Sequence, residues 1–123
     1  MSRVLIVDDA QTVRLYHRDL LEKAGFRVDE AANGVEALER TADTSYDLLV
    51  VDVNMPRLDG YACVRRLRAD STDTGVPVIM VTTEGAAGDR ERALQAGANL
   101  HMAKPVQPEA LMFRARLMSG ALS

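Results

Sequence analysis

One cysteine stands in 123 residues, and no long uncharged apolar stretch occurs among them. The lone Cys63 forms no intrachain disulfide and reads as a small buried side chain. With no signal-like or membrane-length segment, the expectation is a soluble, cytoplasmic protein of the reducing compartment. Nor is there an excess of positive charge. Fifteen Lys and Arg against eighteen Asp and Glu leave a net charge of -3, which supplies no electrostatic reason to bind nucleic acid or an anionic membrane. Linkers and repeats are also missing. A chain of this length buries roughly two thirds of the surface it exposes when unfolded, enough for a single domain over 1–123 without a structural metal.

What is present centres on Leu48-Leu49-Val50-Val51, four aliphatics without polar alternation. That pattern reads as a strand covered on both faces, as in a parallel sheet flanked by helices, and it delivers Asp52 to its end. Ligands of such sheets bind beyond the carboxyl ends of the strands, so Asp52 is the candidate reactive group. Pro56 has no amide proton and pushes Met55 toward extended backbone, so a loop precedes the helix that Asp59 and Gly60 open. Asp52 is thereby expected on a solvent-reachable lip. An Asp in this place can also simply form a turn or cap a helix.

Around it, strands are expected at Arg3–Val7, Phe26–Ala31, Leu48–Val51, Val76–Val81 and, weakly, Ala98–Met102. Helices are expected from Gln11 to Ala24, Gly34 to about Thr41, Gly60 to Ala69, Asp89 to about Ala96, and from Pro108 onward. Val13, Leu20 and Leu21 make the apolar stripe of the first helix, and Gly25 ends it. Asn33 with Glu36 three residues later is a helix-starting box, and Pro77 suits only a strand's beginning. Strands alternating with helices over short loops describe an open, doubly wound parallel α/β sheet of five βα units. His17 has no metal-ligand partner at useful spacing and reads as a surface residue. Arg57, Arg65, Arg66 and Arg68 read as a solvated face, and Tyr16, Tyr46 and Tyr61 as packing groups with wet hydroxyls.

Four of the five strand ends carry polar groups: Asp8-Asp9, Asp52, Thr82 and Lys104. Together with Val7, Met55-Pro56, Asp59-Gly60 and Pro105, all in the right order, they make the chain resemble the response-regulator receiver family over essentially its whole length. The resemblance implies the flavodoxin-like and CheY-like strand order 2-1-3-4-5, in which Asp8, Asp9 and Asp52 share one crevice. It implies that a histidine kinase phosphorylates Asp52. Mg²⁺ would be held by Asp9, Asp52 and the backbone carbonyl of Asn54, with Asp8 acting through a metal-bound water. Lys104 would pair with the phosphoryl oxygens, Thr82 would hydrogen-bond one of them, and the Lys104-Pro105 peptide would be cis.

Physical chemistry supports those roles. Two carboxylates about 4 Å apart repel by roughly 4 kcal/mol at an effective dielectric near 20, so three together call for a cation or a proton. Mg²⁺ uses one or two carboxylates, keeps several waters and leaves a side open for phosphate. A phosphoryl group on Asp52 adds about two negative charges and three acceptors, enough to draw Thr82 and the small residues of 84–88 inward. The expected output surface is the fourth helix, fifth strand and fifth helix.

Some positions depart from the family pattern. His101 stands where the family usually has the Tyr or Phe that turns inward when the Thr moves, and an ionisable ring is harder to bury. Thr83, β-branched, replaces a very small residue and narrows access to Asp52. Gln107 is a weak cap before Pro108. Asn54 and Glu84 match the chemotaxis branch, flanking the path of a hydrolytic water.

The expected function is a stand-alone, monomeric response regulator of two-component signalling. It is a phosphoacceptor rather than an enzyme, and it switches a downstream target in chemotaxis, such as a flagellar motor component. The alternative is a phosphorelay shuttle or phosphate sink between histidine-containing proteins. An aspartyl phosphatase is disfavoured, since such enzymes resemble a pattern with a second Asp where Asn54 stands. A flavin-binding relative is disfavoured by the acidic turn after the first strand.

Overall fold

The protein is described by a computed structural model that places residues 2–70, 75–83 and 88–120. Within them, strands β1 (Arg3–Val7), β2 (Arg27–Ala31), β3 (Leu48–Asp52), β4 (Val78–Thr82) and β5 (Leu100–Ala103) form one sheet. Helices α1 (Gln11–Lys23), α2 (Gly34–Asp43), α3 (Gly60–Ala69), α4 (Asp89–Ala96) and α5 (Pro108–Met118) follow them in turn. The pairings are parallel, in the order β2-β1-β3-β4-β5. Strand order reverses between β1 and β3, which opens the crevice at their carboxyl ends.

Both sheet faces are packed, as the unbroken aliphatic runs require. Leu5, Val7, Leu49, Val51, Val78 and Met80 face one core with Cys63, Val64 and Leu67 of α3 and Ala93 and Ala96 of α4. Val4, Ile6, Leu48, Val50, Ile79 and Val81 face the other, with Leu20 and Leu21 of α1 and Leu111 and Ala115 of α5. Each fully buried aliphatic side chain contributes about 1.5–3 kcal/mol, so the strands that carry the site are the best-held part of the molecule. Burial pushes the Cys63 thiol up to about 11, which keeps it a protonated packing group.

Local chemistry sets the element ends. The Asn33 side chain accepts from the Glu36 amide at 2.9 Å, and Glu36 Oε1 accepts from the Ala32 amide at 3.0 Å. Gly25, at φ 99°, stops α1 in a conformation that L side chains rarely adopt. β4 starts two residues later than Val76, because Pro77 has no amide to donate; its carbonyl accepts from Leu49 instead. β5 starts at Leu100 because the Ala98 amide is spent closing α4 on the Ala93 carbonyl.

Four assignments are corrected. His17 is buried at 3% exposure. It continues the α1 stripe of Val13, Leu20 and Leu21 at helical spacing. The Tyr46 hydroxyl is not wet: it donates to Asp29 Oδ2 at 2.7 Å, and burial with that bond pushes it up to about 12. Arg68 does not belong to a solvated face, since it donates to the carbonyls of Gly97 and Val76 and to Asn99 Oδ1. Tyr16, in turn, is exposed rather than packed.

Candidate functional site

β1 and β3 run side by side, with Val7 paired to Val51, so Asp8 and Asp52 leave the sheet at the same level. One carboxylate oxygen from each of Asp8, Asp9 and Asp52 falls within 4.8 Å of the others. They differ in surroundings. Asp8 and Asp52 are buried, at 2% and 5% exposure, while Asp9 faces solvent. Asp52 therefore sits inside the crevice rather than on an open lip, because the chain after it folds back over the strand end. Gly60 allows that return: its amide donates to the Val53 carbonyl at 2.9 Å.

Asp8 is fully engaged. Its Oδ1 accepts from the Ala10 amide at 2.9 Å and its Oδ2 from Lys104 Nζ at 3.0 Å. The same ammonium stands 3.1 Å from Asp52 Oδ1. The distance makes an ion pair, but its direction leaves that buried oxygen without a hydrogen bond among the described residues. Burial, then the charge of Asp8, push the Asp52 carboxyl up, against the pull of Lys104. Burial works against the Lys104 charge, yet the hydrogen bond to Asp8 and the ion pair with Asp52 outweigh it and hold the ammonium above its usual value. One cation thus faces three carboxylates, a net negative pocket with an under-bonded oxygen at its centre. That cluster of hard carboxylate oxygens could hold a metal ion, and its donor set suits Mg²⁺.

Thr82 is buried at the end of β4, and its carbonyl accepts from the Lys104 amide at 2.8 Å. The Lys104-Pro105 peptide is cis. Asn54 is exposed and lines an open depression with Asp9, Met55 and Pro56. Thr83 is exposed on the opposite rim. Glu84 and the segment 84–87 lie outside the described residues. His101 is level with Met80 in the sheet and half-buried, and its Nε2 is buried with no hydrogen-bond partner among the described residues.

Arg14 and Arg18 escaped the sequence reading, and His17 was assigned to the surface. Arg14 donates to the Asp8 carbonyl at 2.7 Å and to Glu30 Oε1 at 2.8 Å, and Arg18 Nη1 reaches the other Glu30 oxygen at 2.5 Å. This pins α1 to the ends of β1 and β2. His17 lines an apolar pocket of about 230 Å³ with Val13, Tyr16, Thr83, Lys104, Pro105 and Val106. Burial lowers its affinity for a proton, with Asp8 opposing and Lys104 reinforcing. The signal for Arg14 was an unpaired Glu30 at the end of β2; for His17 it was the helical spacing.

A family model described as the response regulator receiver domain matches residues 4–116. Chemotaxis protein CheY1 of Helicobacter pylori is 37% identical over 120 residues, 96% of this chain and 97% of that protein. Sensor protein EvgS of Escherichia coli K12 is 40% identical over 108 residues, 88% of this chain and 9% of that protein. Among solved structures, chemotaxis protein CheY4 of Vibrio cholerae superposes with a TM-score of 0.89 at 33% identity, over 96% of this chain and 98% of that one. The receiver domain of sensor histidine kinase PA1611 from Pseudomonas aeruginosa PAO1, with a magnesium ion coordinated in its active site cleft, gives 0.89 at 33% identity, over 97% and 98%.

Proposed function

The chain belongs to the response regulator receiver domain family of two-component signalling, and from that premise we propose that Asp52 is its phosphoacceptor. The observation that carries this reading is the single Lys104 ammonium shared by Asp8 and Asp52, beside an Asp52 oxygen with no directed hydrogen bond. A histidine kinase is the donor. An Asp52 oxygen attacks phosphorus in line, the bond from phosphorus to the donor's imidazole nitrogen breaks, and its electron pair leaves with the ring. Burial and Asp8 make the Asp52 carboxylate a stronger base, and hence a stronger nucleophile, than a solvated one. Lys104 exchanges its contact with Asp52 for a phosphoryl oxygen while keeping Asp8. Asp9, Asp52 and the Asn54 carbonyl, with Asp8 through water, would hold Mg²⁺, which would supply positive charge to the transferring group.

Residues 1–123 act as one receiver domain that does not turn over a substrate of its own. Phosphorylation engages Thr82 at the end of β4, and His101, already half-buried on the α4 side of β5, follows as the switch ring. The readout surface is α4, β5 and α5, where Leu94, Phe113 and Leu117 stand exposed. Similarity to CheY1 and CheY4 supports a chemotaxis target, such as a flagellar motor component. Among the described residues no helix is long and apolar enough to cross a membrane.

The matches to receiver segments of two sensor proteins support a second reading, a phosphorelay shuttle or sink. Incubation with acetyl phosphate and Mg²⁺, read by intact mass, should add one phosphoryl group to the wild type and none to Asp52→Asn. Addition to the Asn variant would move the acceptor elsewhere. Back-transfer to a phosphohistidine protein faster than hydrolysis would favour the shuttle.

A further inference from the structure

Beyond the acceptor crevice a groove continues between α3 and α4. The depression that begins at Asp9, Asn54 and Met55 has a volume of about 620 Å³ and ends at Tyr61 and Arg92. A second, of about 390 Å³, shares Asp59, Tyr61 and Arg92 with it and runs on to Arg65 and Gln95. The two are one trough, negative at the crevice and positive at its far end. Asp59, the acid midway, is occupied in capping α3, where it accepts from the Ala62 amide at 2.8 Å.

Arg92 is arranged to hold an anion. Its guanidinium carbon lies 5.6 Å from the centre of the Tyr61 ring, within reach of a cation–π contact. Its ion pair with Asp89 Oδ1 is 4.0 Å long, and the side chain is 65% exposed. A guanidinium this exposed can offer a carboxylate two parallel hydrogen bonds. Arg65 adds a second cation at the same end. Because the whole chain is net negative, an acidic segment is attracted here only by this local pair.

We propose that the α3–α4 trough docks an acidic peptide segment of a partner protein that engages the Asp52 crevice, with a Glu or Asp carboxylate seated on Arg92 and Arg65. Charge complementarity and continuity with the crevice select this occupant. The inference goes beyond the phosphoacceptor reading and is tested apart from it, on the unphosphorylated protein.

The test is an amide-resolved NMR titration of the full chain at low salt with hexaglutamate, hexaglutamine or inorganic phosphate. Saturable shifts confined to the neighbourhood of Tyr61, Arg65, Arg92 and Gln95, with hexaglutamate alone, are expected. Arg92→Ala should weaken binding about fivefold and Arg92→Lys nearly as much, since Lys neither stacks nor forks; Arg114→Ala on α5 should leave it unchanged. Unaltered spectra of the free variants establish that they fold. Shifts spread over the surface, equal binding of hexaglutamine, or no saturation would overturn the proposal. Phosphate binding as tightly as the peptide would make this a small-anion site and overturn it as well.

Discussion

The backbone at Gly60 passes so close to Asp52 that a β-carbon there would stand 2.4 Å from the Asp52 carbonyl oxygen and 2.8 Å from the Val53 Cα. Both neighbours are backbone, so neither can swing aside. Gly60→Ala must push the start of α3 away from the end of β3. It should cost about 2–3 kcal/mol of stability, as overpacking does, and slow modification of Asp52 by acetyl phosphate. Urea unfolding and intact-mass time courses measure the two effects. An unchanged midpoint would mean that the close approach is readily relaxed.

Asp52 protonates more readily in the folded chain than in the unfolded one, because burial and then Asp8 oppose its charge. Its favourable share of stability is thus full below the ordinary carboxylate value of 3.8 and is lost as pH rises through the raised one. At neutral pH Asp52→Asn should therefore melt a few degrees above the wild type, with Lys104 still paired to Asp8. The gap should close as pH falls toward 3.8. Calorimetry across pH reads this, and an Asn variant less stable at pH 7 would contradict it.

Added Mg²⁺ should raise the melting temperature by mass action, about 2.7 kcal/mol of stabilisation at a hundred times the dissociation constant. Asp9→Asn should remove most of the effect, since Asp9 is the exposed carboxylate of the three. A melting curve indifferent to millimolar Mg²⁺ would remove the metal from the mechanism.

His17 is held neutral by burial, so the unfolded chain binds a proton that the folded one refuses. Its share of stability is full above the ordinary value of 6.5 and declines as pH falls below it, toward the lowered value. His17→Leu should flatten the loss of stability between pH 7.5 and 5.5 and should stabilise the fold at the acid end. Denaturant midpoints at the two pH values compare them; parallel slopes would show that other groups carry the acid sensitivity.

Where the chain is locally consistent, sequence and fold agree. Leu48–Val51, with no polar residue to turn outward, had to be a doubly covered strand, and Asn33, Gly25 and Asp59 mark helix ends by their own chemistry. The strand order was another matter: nothing in Val4–Val7 names its neighbour, and only the resemblance supplied it. His17 was misplaced because residue type was weighed above helical spacing. The burial of Asp52 was missed because it depends on Gly60 folding back over the strand end, a contact between segments that no local pattern records. The hydroxyl of Tyr46 found Asp29 on a neighbouring element for the same reason.

Lys104 pairs with an aspartate ninety-six residues before it. During synthesis the first four helices and all five strands are made before that lysine, so the growing chain carries Asp8, Asp9 and Asp52 without the ammonium that two of them share. Under the proposed mechanism, a phosphoryl donor meeting the unfinished chain would find carboxylates but no lysine to receive the transferred charge, so competence would arrive only once Lys104 is in place.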